Sequence, residues 1–313
     1  MMLFKIIFFL SMRSLKKRIS YLALCVTGAI VPYYSFHPSS EQAPHIKLLN
    51  SIAPEERFYL DFYFRHLMLQ DPLSYVLFGD KPMGFSAFSN PSSFSINQVL
   101  SDNFNKSLLL KKGFELHKKY LHLFSSKNFL FIFKETDDYI EIALVNRKNF
   151  LKVTKTAAKD FQAVLGNEFS GEKILEEFIK EKEILEKPLG ENHALLGLLL
   201  GYGKNNSFAF QRKIEILKEM KSLHLHKIID SKAPRNGFNA LNAELASLDK
   251  KLLPFYEKDL QFSLIPLPSF MADRQDRETR TLTKKYIQQR KNITKTYLHG
   301  NFLEITFQKL ASS

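Results

Sequence analysis

The sequence predicts a helix-rich α+β or mixed α/β fold with a small sheet, preceded by an N-terminal signal or anchor segment. Three observations carry that expectation. Two β-rich runs flank a short polar turn near 128–146, several long stretches repeat apolar residues at three and four, and the N-terminus is apolar and free of acid. Of 313 residues, 45% are hydrophobic and 25% charged, a globular composition with chain enough to bury a sizeable core. A single cysteine excludes an intramolecular disulfide framework.

Residues 1–36 contain no Asp or Glu. Arg13, Lys16, Lys17 and Arg18 precede an apolar run from Ile19 to Val31, with small residues at Gly28 and Ala29. A basic region, an apolar region and then small residues is the order of a secretory signal peptide, with Met12 as an alternative start. Uncleaved, the run to Phe36 is near the minimum for a membrane span, although Pro32 interrupts it. The basic cluster would then stay cytoplasmic. Either way the rest of the chain is expected to face outward, across or anchored in a bacterial inner membrane, or secreted. Lipidation at Cys25 is a further alternative, but Leu24 stands where a lipoprotein box needs a small residue. The formal net charge is +13, and without residues 1–36 it is +8, from 40 basic and 32 acidic residues.

Residues 37–53, with Pro38, Ser39, Ser40 and Pro44, read as a linker into a single domain over 54–313. Pro54 with Glu55 and Glu56 starts a helix that runs to about Gln70, apolar on most faces. A punctuated stretch over 78–95 holds a short strand around Gly84 to Phe88, and a helix follows over about 105–124. Phe129 to Phe133 and Tyr139 to Val145, around Thr136-Asp137-Asp138, form the expected hairpin, with one strand central because it is apolar on both faces. Helices are expected over about 154–165, 171–186, 191–202, 204–222 and 239–251. A strand from Leu260 to Pro268, a basic helix over 274–296 and a last strand over Phe302–Phe307 complete the chain.

The motif search excludes more than it assigns. No His-Glu-x-x-His occurs, and His224 and His226 diverge on a helix. Gly197 to Asn205 lacks the first glycine and the final Ser/Thr of a phosphate loop. Gly197 and Gly201 instead read as one small-residue helix face, with Gly203 as a C-cap. Gly84-Phe85-Ser86-Ala87-Phe88 lacks the second glycine of a nucleophile elbow. Asp137-Asp138 and Glu176-Glu177 read as solvated carboxylates. No catalytic residue, metal site or cofactor is therefore assigned.

Two constellations and one helix face remain as candidate binding sites. Asp80 and Lys81 lie in a turn between Phe78 and Phe85. Glu191, Asn192 and His193 on one side and Tyr202, Lys204, Asn205 and Asn206 on the other flank a tightly packed helix. On the basic helix, Leu282, Tyr286, Ile293 and Tyr297 make an apolar stripe opposite Arg277, Arg280, Lys284, Lys291 and Lys295. Such a face suits anionic headgroups, a polyanion or an acidic partner.

The strings Asn192 to Asn206, Leu77 to Pro82 and Pro266 to Phe270 resemble segments of a family of envelope or secreted proteins from chlamydia-like intracellular bacteria. The resemblance implies an envelope or secreted protein and brings no catalytic residues with it. The expected function is an exported, envelope-associated binding or interaction module, its partner a protein, a glycan or an anionic lipid, with membrane contact through the N-terminal segment. Nucleic acid is not expected. An exported hydrolase or transferase using Asp80, His193, Tyr202 and Lys204, and a peripheral binder of anionic membranes using Lys284 and Lys291, are the alternatives.

Overall fold

A computed structural model describes residues 44–71, 73–99, 101–123, 126–180, 188–229, 236–255 and 265–311. The expectations for residues 1–36, Cys25 among them, lie outside these. The fold is a helix-rich α+β arrangement around small antiparallel sheets.

Helix α1 (Pro44–Ser51) falls within the span expected as a linker, and Leu49 and Ile52 are buried in the main core instead of linking across solvent. Helix α2 (Pro54–Arg65) starts on Pro54 and two acidic residues, as its sequence requires. It widens into a π-turn over His66–Gln70, closed by the Asp71 amide donating to the His66 carbonyl. Helix α3 (Ser74–Leu77), strand β1 (Met83–Ser89) and helix α4 (Asp102–Lys119) follow. The Ser101 side chain caps α4 by accepting from the Phe104 amide.

Strands β2 (Phe129–Glu135) and β3 (Tyr139–Asn146) form the expected hairpin. The sheet order is β1-β3-β2, all antiparallel, so β3 is central. Successive strand residues point to opposite faces, and β3 obeys this with two different cores. Ile140, Ile142 and Leu144 join a cluster with α2, α4 and the C-terminal helices, whereas Ala143 and Val145 join one built by the helices that follow. The sheet is thus packed on both faces.

Those following helices are α5 (Arg147–Thr156), α6 (Ala158–Leu165), α7 (Gly171–Lys180) and α8 (His193–Leu199). The stretch read as one helix over 154–165 breaks at Ala157, and α5 starts earlier because Asn146, the last residue of β3, caps it by accepting from the Asn149 amide. Helices α9 (Lys204–Ile229) and α10 (Asn236–Lys251) pack on each other and are tied by ion pairs from Arg212 to Glu244 and Lys213 to Asp249. Strand β4 (Leu252–Pro254) pairs with β5 (Met271–Asp273), and helices α11 (Arg277–Leu298) and α12 (Phe302–Ala311) close the chain.

Two expected strands are corrected. Of Leu260 to Pro268, the described part from Ile265 is irregular, and pairing begins only at Met271. Phe302 to Phe307 is helical. Six residues fit a period of two or of 3.6, and the longer reading decides, because Phe302, Leu303, Thr306, Phe307 and Leu310 are the buried set. Asn301 caps that helix, accepting from the Leu303 and Glu304 amides. Among the described residues no helix is long and apolar enough to cross a membrane.

Candidate functional site

Three segments that the sequence presents separately meet at one node: the turn after α3, the turn between α8 and α9, and the first half of α11. The turn after α8 is made by glycine. Gly201 has φ +71°, a conformation open to glycine, and follows the last helical turn as a C-terminal stop. The expectation that Gly201 shares a helix face with Gly197 is corrected: α8 ends at Leu199. Gly197 does provide close approach, since any Cβ there would collide with Ser207 of α9. Gly203 also adopts a positive φ, +86°, but it precedes α9 instead of capping α8.

The Gly201 carbonyl accepts a 2.6 Å hydrogen bond from the Tyr286 hydroxyl on α11. A Cβ at Gly201 would lie 2.8 Å from that hydroxyl, 3.4 Å from Pro82 and 3.5 Å from the Lys81 stem. Backbone at 201 therefore lies close to both the Lys81 stem and the Tyr286 hydroxyl of α11. Lys81 Nζ stands 5.4 Å from the centroid of the Tyr202 ring. Tyr202 stacks on Phe270 at 4.7 Å, and Phe270 on Phe255 at 5.0 Å. The stack of three rings ends at the lysine.

Lys81 is 5% exposed. Among the described residues its ammonium has no hydrogen-bond or ion-pair partner, whereas its neighbours in the node are all engaged. Asp80 binds Lys285 at 2.7 Å and accepts from Gln289 at 2.5 Å. Lys204 binds Asp160 at 2.7 Å. Burial lowers the Lys81 amine to about 8 and pushes the Tyr202 phenol up to about 12. Burial first, then the neighbouring Tyr202, Asp80 and Tyr75, pushes the Tyr286 phenol well up. For Asp80, partial burial acts upward but is outweighed by the hydrogen bonds from Lys285 and Gln289, so the carboxyl sits below its ordinary value.

The node is locked by polar groups, of which sequence reading placed Asn206 only among the residues flanking α8 and missed Thr279 and Glu278. Asn206 donates to the Tyr202 carbonyl and to Thr279 Oγ1, and its oxygen accepts from the Asp273 amide. Both Asn206 and Thr279 are buried. Glu278 reaches the start of α9 and accepts from the Lys204 and Asn205 amides at 2.9 and 2.8 Å. A carboxylate borrowed from 74 residues away thus serves an N-terminus that has free donors and a positive dipole end. An open depression of about 480 Å³ lies alongside, lined by Asn205, Glu278, Leu282 and Lys285 among others.

The structure brings Asp80, Lys81, Tyr202 and Lys204 to this region and leaves His193 out of it. His193 opens α8, its amide held by Gln211 and its ring edge-on to Phe210. Seven residues of helix, about 10 Å of rise, lie between it and the turn that bears Tyr202. Lys284 and Lys291 lie on the exposed face of α11, with Arg277, Arg280 and Lys295, opposite buried Tyr286, Ile293 and Tyr297. Among the described residues none of those five cations is in an ion pair.

A second polar cluster, also missed, sits on the π-turn. His66 Nδ1 meets Gln70 Oε1 at 2.9 Å, an oxygen that also accepts from Lys106. His66 Nε2 lies 3.2 Å from Asp71, which accepts from buried Ser86 at 2.7 Å. Burial lowers the His66 imidazole against the pull of Asp71. Aspartate is central here, between serine and histidine, so this is not the serine-histidine-aspartate order of a nucleophilic triad. Among the described residues no group of three or more His, Cys, Asp or Glu converges to hold a metal ion. No protein-family model, no curated protein and no solved structure matches this chain.

Proposed function

We propose that the chain is an exported, envelope-associated binding protein whose ligand engages the node at Lys81 and Tyr202. The observation that carries this reading is the lysine itself: a side chain only 5% exposed, whose ammonium has no hydrogen-bond or ion-pair partner among the described residues, at the junction of three chain segments. A buried charge without a counter-group is costly, and such groups concentrate where a ligand completes them. Export is supported by the order of basic, apolar and small residues at the N-terminus. The hydrolase or transferase alternative needs Asp80, His193, Tyr202 and Lys204 around one reacting point. It is disfavoured by the engagement of Asp80 with Lys285 and Gln289, and of Lys204 with Asp160.

The test of export is the intact mass and N-terminal sequence of the protein from fractionated cells. A start near Ile30 in an extracytoplasmic fraction is expected. An uncleaved chain in the cytosol overturns the compartment assignment. A second reading, contact with anionic membrane surfaces, is favoured by the five exposed cations along α11 that have no ion-pair partner among the described residues. Co-sedimentation with phosphatidylglycerol vesicles that is unchanged in a Lys284→Glu/Lys291→Glu variant removes it.

A further inference from the structure

We infer that Lys81 is a covalent carbonyl-binding site, its amine condensing with a compact aldehyde to form an imine. This deepens the binding reading of the node and does not depend on export. The contrast with other lysines near it carries the argument. Lys204 and Lys285, which flank the node, each hold a carboxylate, and Asp80, next to Lys81 in sequence, is turned toward Lys285 and Gln289. Lys81 alone of these three has only an aromatic face for company. Its stem lies beside the Gly201 backbone, next to Pro82, and the residue is 5% exposed.

A lysine is a nucleophile only through its lone pair. Burial without a counter-charge favours the neutral amine. With the amine brought to about 8, roughly one molecule in ten carries the free base at pH 7, against about one in three thousand for an ordinary lysine. The step balances without any oxidant or reductant. The Nζ lone pair forms the C–N bond as the carbonyl π pair moves to oxygen, which takes up a proton. The resulting carbinolamine loses its hydroxyl group as water with a proton from nitrogen, leaving C=N. The Tyr202 ring offers a flat apolar wall for the planar product. The 5% exposure of the side chain limits the ligand to a compact carbonyl compound.

The test uses the full-length chain with glyoxylate and cyanoborohydride at pH 7, which convert any imine to a stable secondary amine, followed by peptide mass mapping. The α-amino group is scored separately. Lys81 is expected to be trapped at least ten-fold faster than the median lysine, with the preference collapsing at pH 10, where surface amines are also free. A Lys81→Arg variant is expected to lose the fast adduct. Native protein in which Lys81 is trapped no faster than the median lysine overturns the inference, as does an unchanged fast adduct in Lys81→Arg. If that variant does not fold, the wild-type map and its pH dependence decide alone. Failure of the fractionation test leaves this result untouched, and the reverse also holds.

Discussion

Replacing Lys81 by methionine removes a charge from the interior while keeping most of the side-chain volume. A shift of the amine from 10.5 to about 8 corresponds to roughly 3 kcal/mol of unfavourable interaction for the ammonium at neutral pH. Loss of the ammonium contact with the Tyr202 ring works the other way by about 1–2 kcal/mol. The variant is therefore expected to be more stable than wild type at pH 7 by about 1–2 kcal/mol, read by urea denaturation. The pH dependence gives a sharper check. Below about pH 8 both folded and unfolded chains hold the proton, so the advantage of methionine is constant. Between about 8 and 10.5 the folded chain releases its proton first, so wild-type stability rises relative to the variant and the gap narrows. A variant that is equal to or less stable than wild type at pH 7, or a gap that fails to narrow by pH 10, refutes the reasoning. A residue that costs stability where methionine would serve is one retained for chemistry.

His117 is wholly buried against Phe64, Phe131 and Phe133, and burial lowers its imidazole to about 3. The unfolded chain takes up that proton near pH 6.5, so stability is complete above 6.5 and declines by up to about 1.4 kcal/mol per pH unit toward 3; His117→Gln is expected to flatten this limb in acid denaturation curves. Gly201→Ala forces a side chain into a positive-φ turn and toward the Tyr286 hydroxyl, with an expected loss of about 2–3 kcal/mol in thermal or urea unfolding. Asn206→Leu leaves the Asp273 amide and Thr279 without their partner, for an expected loss of about 2–4 kcal/mol and exposure of Tyr202 to fluorescence quenchers.

The hairpin was legible because Phe129 to Phe133 and Tyr139 to Val145 are β-rich on either side of a polar turn, and both runs are strands. The stripe through Tyr286, Ile293 and Tyr297 was legible because 22 residues of helix repeat the period often enough to be unambiguous. Phe302 to Phe307 was too short for that, and its alternation misled. The polar residues of the node were visible in sequence, but as two sites. Nothing local connects Lys81 with Tyr202, because their contact is created by the positive-φ turn at Gly201 and by helix α11 arriving from far along the chain. Asn206 stood out only as one of the polar residues flanking α8, and Thr279 gave no signal at all. Each reads as an ordinary polar residue on a helix, and only burial shows that they pair with one another. The π-turn was hidden for a similar reason: an extra residue per turn leaves the apolar pattern of Leu67 and Met68 intact.

The carboxylate that serves the start of α9 comes from Glu278, and Gln289 reaches Asp80 across 209 positions. This gives the node a schedule. During synthesis the segment around Lys81 is complete long before Gly201, Tyr202 and α11 exist, so the node can form only once those later segments have been made. A chain passed unfolded through a membrane would therefore assemble the node only after its C-terminal part had arrived.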